Sequence, residues 1–282
     1  YLTQKGANKG KTFHAAAQRA CVYLVEACGA KDLADYSRAD ALKYRDYLIA
    51  KGMAGSSVSR VISSIRAVMN FAISEYALDL KNPFVGMYHD RLAGVSKRLP
   101  IPIEDIRKVQ QQCLSLDDDL RWLVALVSDT GMRLAEVSGL LKTDIILDED
   151  IPFIRVQPHS WRKLKTAGSE RDVPLVGVSL WAAQRLLDAD PDSGYAFPRY
   201  NKTSITNANS ASAALNKWLH PYVPNGCTMH SFRHSMRDRL RAVECPADVV
   251  DQIGGWTTGG VGQGYGSGYG LEVCDRWRKK ME

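Results

Sequence analysis

Apolar residues recur at helical spacing through most of the first third of the chain. Three segments each carry one apolar face and predict three helices. Thr12 is a candidate N-cap for the first, and Ser37 followed by Asp40 has the pattern of a capping box for the second. Gly52 is suited to follow the last turn of that second helix. The helical pattern stops at the "KNPF" of residues 81–84, so this part predicts a compact helical unit.

A different pattern follows. Residues 87–102 have weak periodicity and two prolines, which predicts a linker. Helical spacing resumes after Pro102, and a run of aspartates then opens a helix that stops at Gly131. Between residues 144 and 176, two segments rich in β-branched residues flank a basic, turn-rich stretch, which predicts a hairpin or a small three-stranded sheet. Helical patterns then return and continue into the C-terminal tail.

The patterns together predict a mainly α fold with a small antiparallel β-sheet (α+β). We expect a helical domain over residues 1–86, a linker over 87–101 and a second, mixed domain over 102–282. The last apolar residues, at helical spacing in "LEVCDRWRKKME", predict a terminal helix.

Charge is concentrated in the first part of the chain. The net charge is +6, and residues 1–95 alone hold 13 Lys and Arg against 8 Asp and Glu. This excess is compatible with a nucleic-acid partner.

No apolar run approaches the ~18 residues of a membrane span, and the polar, basic start is unlike a signal peptide. Because there is no initiator Met, we expect that a natural N-terminal segment is missing.

The cysteine pattern argues against metal and disulfide frameworks. Six cysteines are scattered without a C-x-x-C pair, which favours free thiols in a reducing cytoplasm. His230 and His234 have the spacing of zinc ligands, but Ser231 stands where a metalloprotease has Glu, and no third ligand is evident. We therefore predict neither a metal nor a cofactor.

Several residues with useful chemistry are weak signals when each is taken alone. Arg133 follows "TGM" at a helix start, where it could simply pair with Glu136. Lys163 and Lys165 lie two apart, so both would face one side of a strand. The remaining candidates are His230, Arg233, Trp256 and Tyr265.

The order of these motifs is more specific than any one of them. "TGMRLAEVSGL", "KLKT…RDVPL", "HSFRH", "IGGW" and a tyrosine nine residues later follow one another over about 135 residues. This series resembles the tyrosine recombinase (phage integrase) family. Residues 1–86 also look like the helical, SAM-like core-binding domain of that family. The resemblance implies two domains that form a C-shaped clamp around double-stranded DNA.

The resemblance assigns catalytic positions to six residues, namely Arg133, Lys165, His230, Arg233, Trp256 and Tyr265, the last as nucleophile. Lys163 remains an alternative to Lys165, and Tyr269 an alternative to Tyr265. Glu136 and His234 fit supporting positions. The chemistry agrees with these residue types, since a phenol can form a phosphate ester that keeps the bond energy for rejoining, and two guanidinium groups suit the oxygens of a phosphate.

The implied activity is site-specific cleavage and rejoining of DNA through a 3′-phosphotyrosine, integrating or excising a mobile element. A type IB-like topoisomerase and a catalytically inactive DNA-binding relative are the alternatives. The family also implies a homotetramer on two DNA sites, an accessory DNA-bending or excision factor, and a place in the bacterial cytoplasm with the nucleoid. We expect the terminal helix to dock on a neighbouring protomer, the alternative being packing on its own domain.

Overall fold

The computed structural model describes residues 1–189, 192–203, 205–256 and 268–282. Within them the chain forms two compact units, Tyr1–Lys97 and Arg98–Glu282. None of the described helices is both long and apolar enough to cross a membrane. All six cysteines lie in the described part of the chain and carry free thiols.

The first unit contains three helices, α1 (Lys11–Cys28), α2 (Arg38–Ala50) and α3 (Gly55–Glu75). Helix α2 begins as predicted, because Ser37 and Asp40 form a reciprocal capping box. Gly52 follows its end with a φ of 74°. The prediction that Thr12 caps α1 is wrong. The N-cap is Gly10 and the helix begins at Lys11, so Thr12 lies inside the first turn.

The residues that interrupt the helical pattern complete the core of the first unit. Phe84 is 1% exposed and packs edge-to-face on Tyr44, with ring centres 5.9 Å apart. The Tyr44 hydroxyl donates to the Ala20 carbonyl at 2.9 Å, which satisfies its only buried polar group. The "KNPF" segment therefore closes the core rather than merely ending a helix.

The second unit is mainly helical, as the sequence predicts. Its helices in the described residues are α4 (Ile103–Leu116), α5 (Asp119–Thr130), α6 (Leu134–Ser138), α7 (Gly177–Asp188), α8 (Ala208–Leu219), α9 (Ser231–Ala242), α10 (Ala247–Gly254) and α11 (Leu271–Lys279). Helix α5 forms the centre of this unit, since every residue from Leu123 to Thr130 is buried. The Asp118 carboxylate caps its start by accepting from the Arg121 amide at 3.0 Å.

A glycine turn after α5 leads the chain to Arg133 at the start of α6. Gly131 adopts the left-handed conformation, with φ 60° and ψ 15°. A Cβ at this position would lie 2.1 Å from Met236 Sδ of α9, so only glycine fits between the two helices. The turn places Arg133 at the N-cap of α6.

The small antiparallel sheet is confirmed. It has the order β1 (Ile145–Ile146), β2 (Phe153–Val156) and β3 (Arg171–Pro174), with Ile154 opposite Val173. Both of these side chains are fully buried.

The prediction that Lys163 and Lys165 share one side of a strand is wrong. Both lie in the loop 157–170 between β2 and β3. The chain leaves the sheet because His159 and Arg162 exchange backbone hydrogen bonds of 3.0 and 3.1 Å in a tight turn.

Helix α11 packs on its own unit. Cys274 and Met281 join an apolar cluster with Met236 and Leu240 of α9 and Ile253 of α10. This is the packing of α11 within the single chain, and docking of the tail on a neighbouring protomer stays a prediction.

Candidate active site

Arg133 contacts three different segments of the second unit. One Nη1 hydrogen bond goes to Glu136 Oε1 at 2.5 Å and another to Ser169 Oγ at 3.0 Å. Nη2 donates to the Gly255 carbonyl at 3.2 Å. Its side chain is 20% exposed. The guanidinium is therefore fixed in direction while part of it still faces solvent.

Glu136 is the anion that balances this part of the site. It is 3% exposed, and Oε2 accepts from the Arg133 amide at 3.0 Å and from Arg171 Nη2 at 3.2 Å. Burial alone would raise the pKa of the carboxyl, but the charge of Arg171 and the hydrogen bonds from Arg133 outweigh it and lower the pKa of Glu136. The residue is thus a buried carboxylate that orients two arginines.

Arg233 of α9 presents an unused donor. Its side chain is 4% exposed, and Nη1 donates to the Gly131 carbonyl at 2.9 Å. Nη2 is buried, and no described residue supplies an acceptor for it. Burial, followed by the charges of Arg133 and Arg171, lowers the pKa of Arg233 to about 9, so the group remains charged at pH 7.

Trp256 lies against this arginine. The Arg233 guanidinium carbon is 4.3 Å from the centre of the Trp256 ring, and that of Arg237 is 4.9 Å away. These are cation–π distances. A Cβ on Gly254 would lie 1.8 Å from the indole ring. The first glycine of "GGW" is therefore required to make room for the tryptophan.

His230 occupies the N-cap position of α9, one turn before Arg233. Its ring meets that of His234 edge-on, with centres 5.5 Å apart, and both residues are exposed. Partial desolvation of the ring, followed by the positive charge of Arg98 and then its other basic neighbours, lowers the pKa of His230 to about 4. The imidazole is accordingly neutral at pH 7 and can accept a proton.

The loop that carries the two candidate lysines is attached to the same network. Buried Arg162 donates to the Glu136 carbonyl at 2.5 Å. At the other end of the loop, the Thr166 and Ser169 hydroxyls are 2.9 Å apart, and Ser169 in turn accepts from Arg133. Lys163 and Lys165 are both exposed. Lys165 is thus followed directly by Thr166, which is linked through Ser169 to Arg133.

Of the two candidate tyrosines, Tyr265 lies outside the described residues. The Tyr269 hydroxyl donates to the Asp248 carboxylate, and this hydrogen bond raises the pKa of Tyr269. Its backbone N–H donates to Gln252 Oε1 at 2.7 Å, and Gln252 Nε2 donates back to the Tyr269 carbonyl at 2.6 Å. Tyr269 is therefore engaged with α10 at both its hydroxyl and its backbone.

The structure brings Arg133, Arg233, Trp256 and His230 together, with the lysine loop attached through Ser169. Two residues of this network were missed by the sequence analysis. Ser169 in the loop before β3 and Arg171 at the start of β3 link the arginines to neighbouring segments, yet both resemble ordinary polar residues. Their only sequence signal is their place inside the quoted "KLKT…RDVPL" stretch.

Comparison with known proteins agrees with this geometry. The profile of the Phage integrase family matches residues 103–266. The tyrosine recombinase XerD of Halalkalibacterium halodurans is 29% identical over 156 residues, which cover 54% of this chain and 48% of that protein. The chain thus spans about half the length of this curated relative.

Solved structures show a similar fold. The Tn1549 transposon integrase in complex with circular intermediate DNA has a TM-score of 0.70 at 17% identity, covering 100% of this chain and 96% of that one. A lambda integrase dimer bound to a COC′ core site has a TM-score of 0.66 at 12% identity, covering 90% and 91%. A lambda integrase tetramer bound to a Holliday junction has a TM-score of 0.61 at 15% identity, covering 90% and 72%. Because the family profile spans more than half of the residues, this chain belongs to the phage integrase family.

Proposed function

We propose that the chain is a site-specific DNA recombinase that cleaves and rejoins strands through a 3′-phosphotyrosine intermediate, and that it integrates or excises a mobile element. The observation that carries this proposal is the buried Nη2 of Arg233, which has no acceptor among the described residues. A buried donor without an acceptor is costly, and a phosphate oxygen would relieve that cost. Membership of the phage integrase family supports the choice of a DNA phosphodiester.

Arg133 and Arg233 have the role of holding the non-bridging oxygens of the scissile phosphate. Their guanidinium groups are fixed by Glu136 and by the Gly131 carbonyl, so little reorganisation is needed when charge develops on the phosphate. Trp256 keeps the Arg233 group in place through its ring face. Its indole N–H can also donate to a phosphate oxygen.

Tyr265 acts as the nucleophile in this proposal. Its phenolic oxygen attacks the phosphorus, an O–P bond forms to the 3′-phosphate, and the bond to the 5′-oxygen breaks. A phenol with a pKa of about 10 must lose its proton to attack, and His230, neutral at pH 7, accepts it. Tyr269 is the less suitable alternative because its hydroxyl already donates to Asp248.

Lys165 completes the reaction as the general acid that protonates the departing 5′-oxygen. Its exposure and its place beside Thr166 on the attached loop support this role. Lys163 remains the alternative, since it is exposed on the same loop. Rejoining reverses these steps, with a 5′-hydroxyl attacking the phosphotyrosine ester.

The partner in this proposal is double-stranded DNA at two attachment sites, bound by a homotetramer, with an accessory DNA-bending or excision factor. We assign core-site binding to the helical unit of residues 1–86, a linking role to 87–101 and catalysis to 102–282. The DNA-bound integrases with similar folds, a dimer and a tetramer among them, support these assignments. The proposed place of action is the bacterial cytoplasm, on the nucleoid.

The test uses duplexes that copy the DNA bordering the gene in its host, each nicked close to the presumed exchange point so that a cleaved strand cannot be rejoined. The proposal predicts a protein–DNA adduct that survives denaturation, and, with intact duplexes, strands joined between two different molecules. Arg233→Met, compared with Arg155→Met on the exposed face of β2, should lose the adduct. Binding without any adduct would make the chain an inactive relative, and nicking or relaxation without strand exchange would make it a topoisomerase.

A further inference from the structure

Arg171 is a buried arginine that makes three hydrogen bonds to three different segments. Its side chain is 4% exposed. Nε donates to the Ile253 carbonyl at 2.9 Å, Nη1 to the Ser169 carbonyl at 2.7 Å, and Nη2 to Glu136 Oε2 at 3.2 Å. One planar group therefore joins the end of α10, the end of the lysine loop and the start of α6.

Two of these partners bond directly to Arg133, the arginine proposed to hold the phosphate, and the third lies two residues from another of its acceptors. Glu136 and Ser169 both accept from Arg133. Ile253 is two residues before Gly255, whose carbonyl accepts from Arg133 Nη2 at 3.2 Å. Arg171 thus bonds to the same three segments that Arg133 contacts.

The fit around Arg171 is tight. A Cβ on Gly255 would lie 2.7 Å from Nη1 of Arg171, so the second glycine of "GGW" lets the chain pass over the guanidinium. Gly255 itself is left-handed, with φ 59° and ψ 45°, and Trp256 follows it directly. The position of Arg171 therefore affects the backbone at Gly255, where the tryptophan segment (Gly255 and Trp256) begins.

We propose that Arg171 is a positioning residue for strand cleavage, which fixes Arg133 through Glu136 and Ser169 and fixes the start of the tryptophan segment through Ile253. This inference rests on the proposed function. Arg171 does not touch the phosphate, because it is enclosed and its nitrogens already donate to protein acceptors. Arg171 acts on the phosphate indirectly, by holding Arg133 and the start of the tryptophan segment in place.

Lysine cannot replace it. A single ammonium on a flexible stem cannot reach three acceptors that a planar guanidinium serves together. Arg171→Lys keeps a positive charge near Glu136 but loses the connection to Ile253 or Ser169. Misplacement of a catalytic group by a fraction of an ångström to 1 Å can cost up to about 100-fold in rate.

The experiment compares Arg171→Lys and Arg171→Met with the control Arg155→Met in the full chain. Arg155 is the same residue type in the same sheet, but its side chain is 51% exposed, pairs with Asp172 and lies 5.3 Å from the centre of the Phe153 ring, away from Glu136 and Arg133. Adduct formation on nicked duplex at saturating protein gives the cleavage rate, and binding to intact duplex gives the affinity. Thermal unfolding verifies that each variant is folded.

We expect both Arg171 variants to cleave roughly 10- to 100-fold more slowly than the parent, with affinity within about threefold and Arg155→Met unchanged. In a Glu136→Gln background, Arg171→Met should cost less than it does in the parent, because the part of its effect that reaches Arg133 through Glu136 is already lost.

Cleavage within about threefold of the parent, a loss explained by affinity alone, or full additivity with Glu136→Gln would each overturn the inference. If Arg171→Met does not fold, Arg171→Lys decides by the same criteria. An absence of adduct in the parent itself would instead count against the proposed function.

Discussion

The guanidinium carbon of Arg233 lies 4.3 Å from the centre of the Trp256 ring. The arginine has one Nη group bound to the Gly131 carbonyl and the other buried without an acceptor among the described residues. The ring face therefore supports a group that is only partly held by hydrogen bonds. This contact gives Trp256 a role that depends on its π face and not only on its N–H.

Replacing the ring tests that distinction. Trp256→Leu removes a cation–π contact of about 0.5 to 2 kcal/mol, so cleavage should slow by roughly 2- to 30-fold. Trp256→Phe keeps a π face and should lose less. Adduct formation on nicked duplex measures both variants. Equal losses in the two variants would show that the indole N–H, which neither retains, matters more than the ring.

The two active-site arginines should not tolerate lysine. Arg133→Lys and Arg233→Lys each replace a planar fork by a point charge, and each should cut cleavage by about 10²- to 10³-fold. Arg155→Lys on β2 is the matched control and should cleave at the parent rate. Rates within about threefold of the parent for both active-site variants would identify these arginines as structural.

His230 should titrate at an unusually low pH in the free protein. Its pKa is lowered from 6.5 to about 4, so between those values the unfolded chain binds a proton that the folded chain does not. Stability should therefore fall on acidification through this window, and His230→Gln should weaken that dependence.

NMR of the imidazole, assigned with His230→Gln, measures the value directly. Added DNA should raise the pKa of His230, since a phosphate anion favours the charged ring. A free-protein value near 6.5 would contradict the proposed electrostatics.

Lys165 can be tested by changing the leaving group. A bridging 5′-sulfur leaves as a thiolate, which is far less basic than an alkoxide, and so needs no proton from the protein. Lys165→Ala should be severely impaired on normal DNA and nearly restored on the sulfur-substituted strand. Arg133→Ala should not be restored, because it stabilises the non-bridging oxygens. Rescue of Lys163→Ala instead would move the general acid to that residue, and rescue of neither would remove the loop from the chemistry.

The sequence predicted the helices and the sheet because each depends on local apolar spacing. The Ser37–Asp40 capping box and the left-handed Gly52 are of this local kind. The lysine loop was not predictable, since its path depends on the tight turn at His159 and on buried Arg162, which donates to the distant Glu136 carbonyl. Local pattern carries no information about such a long-range anchor.

Arg171 was missed for a related reason. Arginine is seldom fully buried, so an arginine at a strand start is expected at the surface, and only the structure places it against Glu136. The requirement for glycine at positions 254 and 255 likewise becomes visible only in the structure. There, Trp256 and Arg171 fill the space that a larger residue at these two positions would need.

Tyr265 forms the covalent link to DNA in the proposed reaction, and locating that link on the protein is the direct test. Adducts trapped on nicked duplex are digested, and the nucleotide-bearing peptide is located by mass spectrometry in the parent, Tyr265→Phe and Tyr269→Phe. We expect phosphotyrosine at Tyr265 in the parent and in Tyr269→Phe, and no adduct in Tyr265→Phe, with DNA affinity close to normal in all three. An adduct that persists in Tyr265→Phe and disappears in Tyr269→Phe would contradict it.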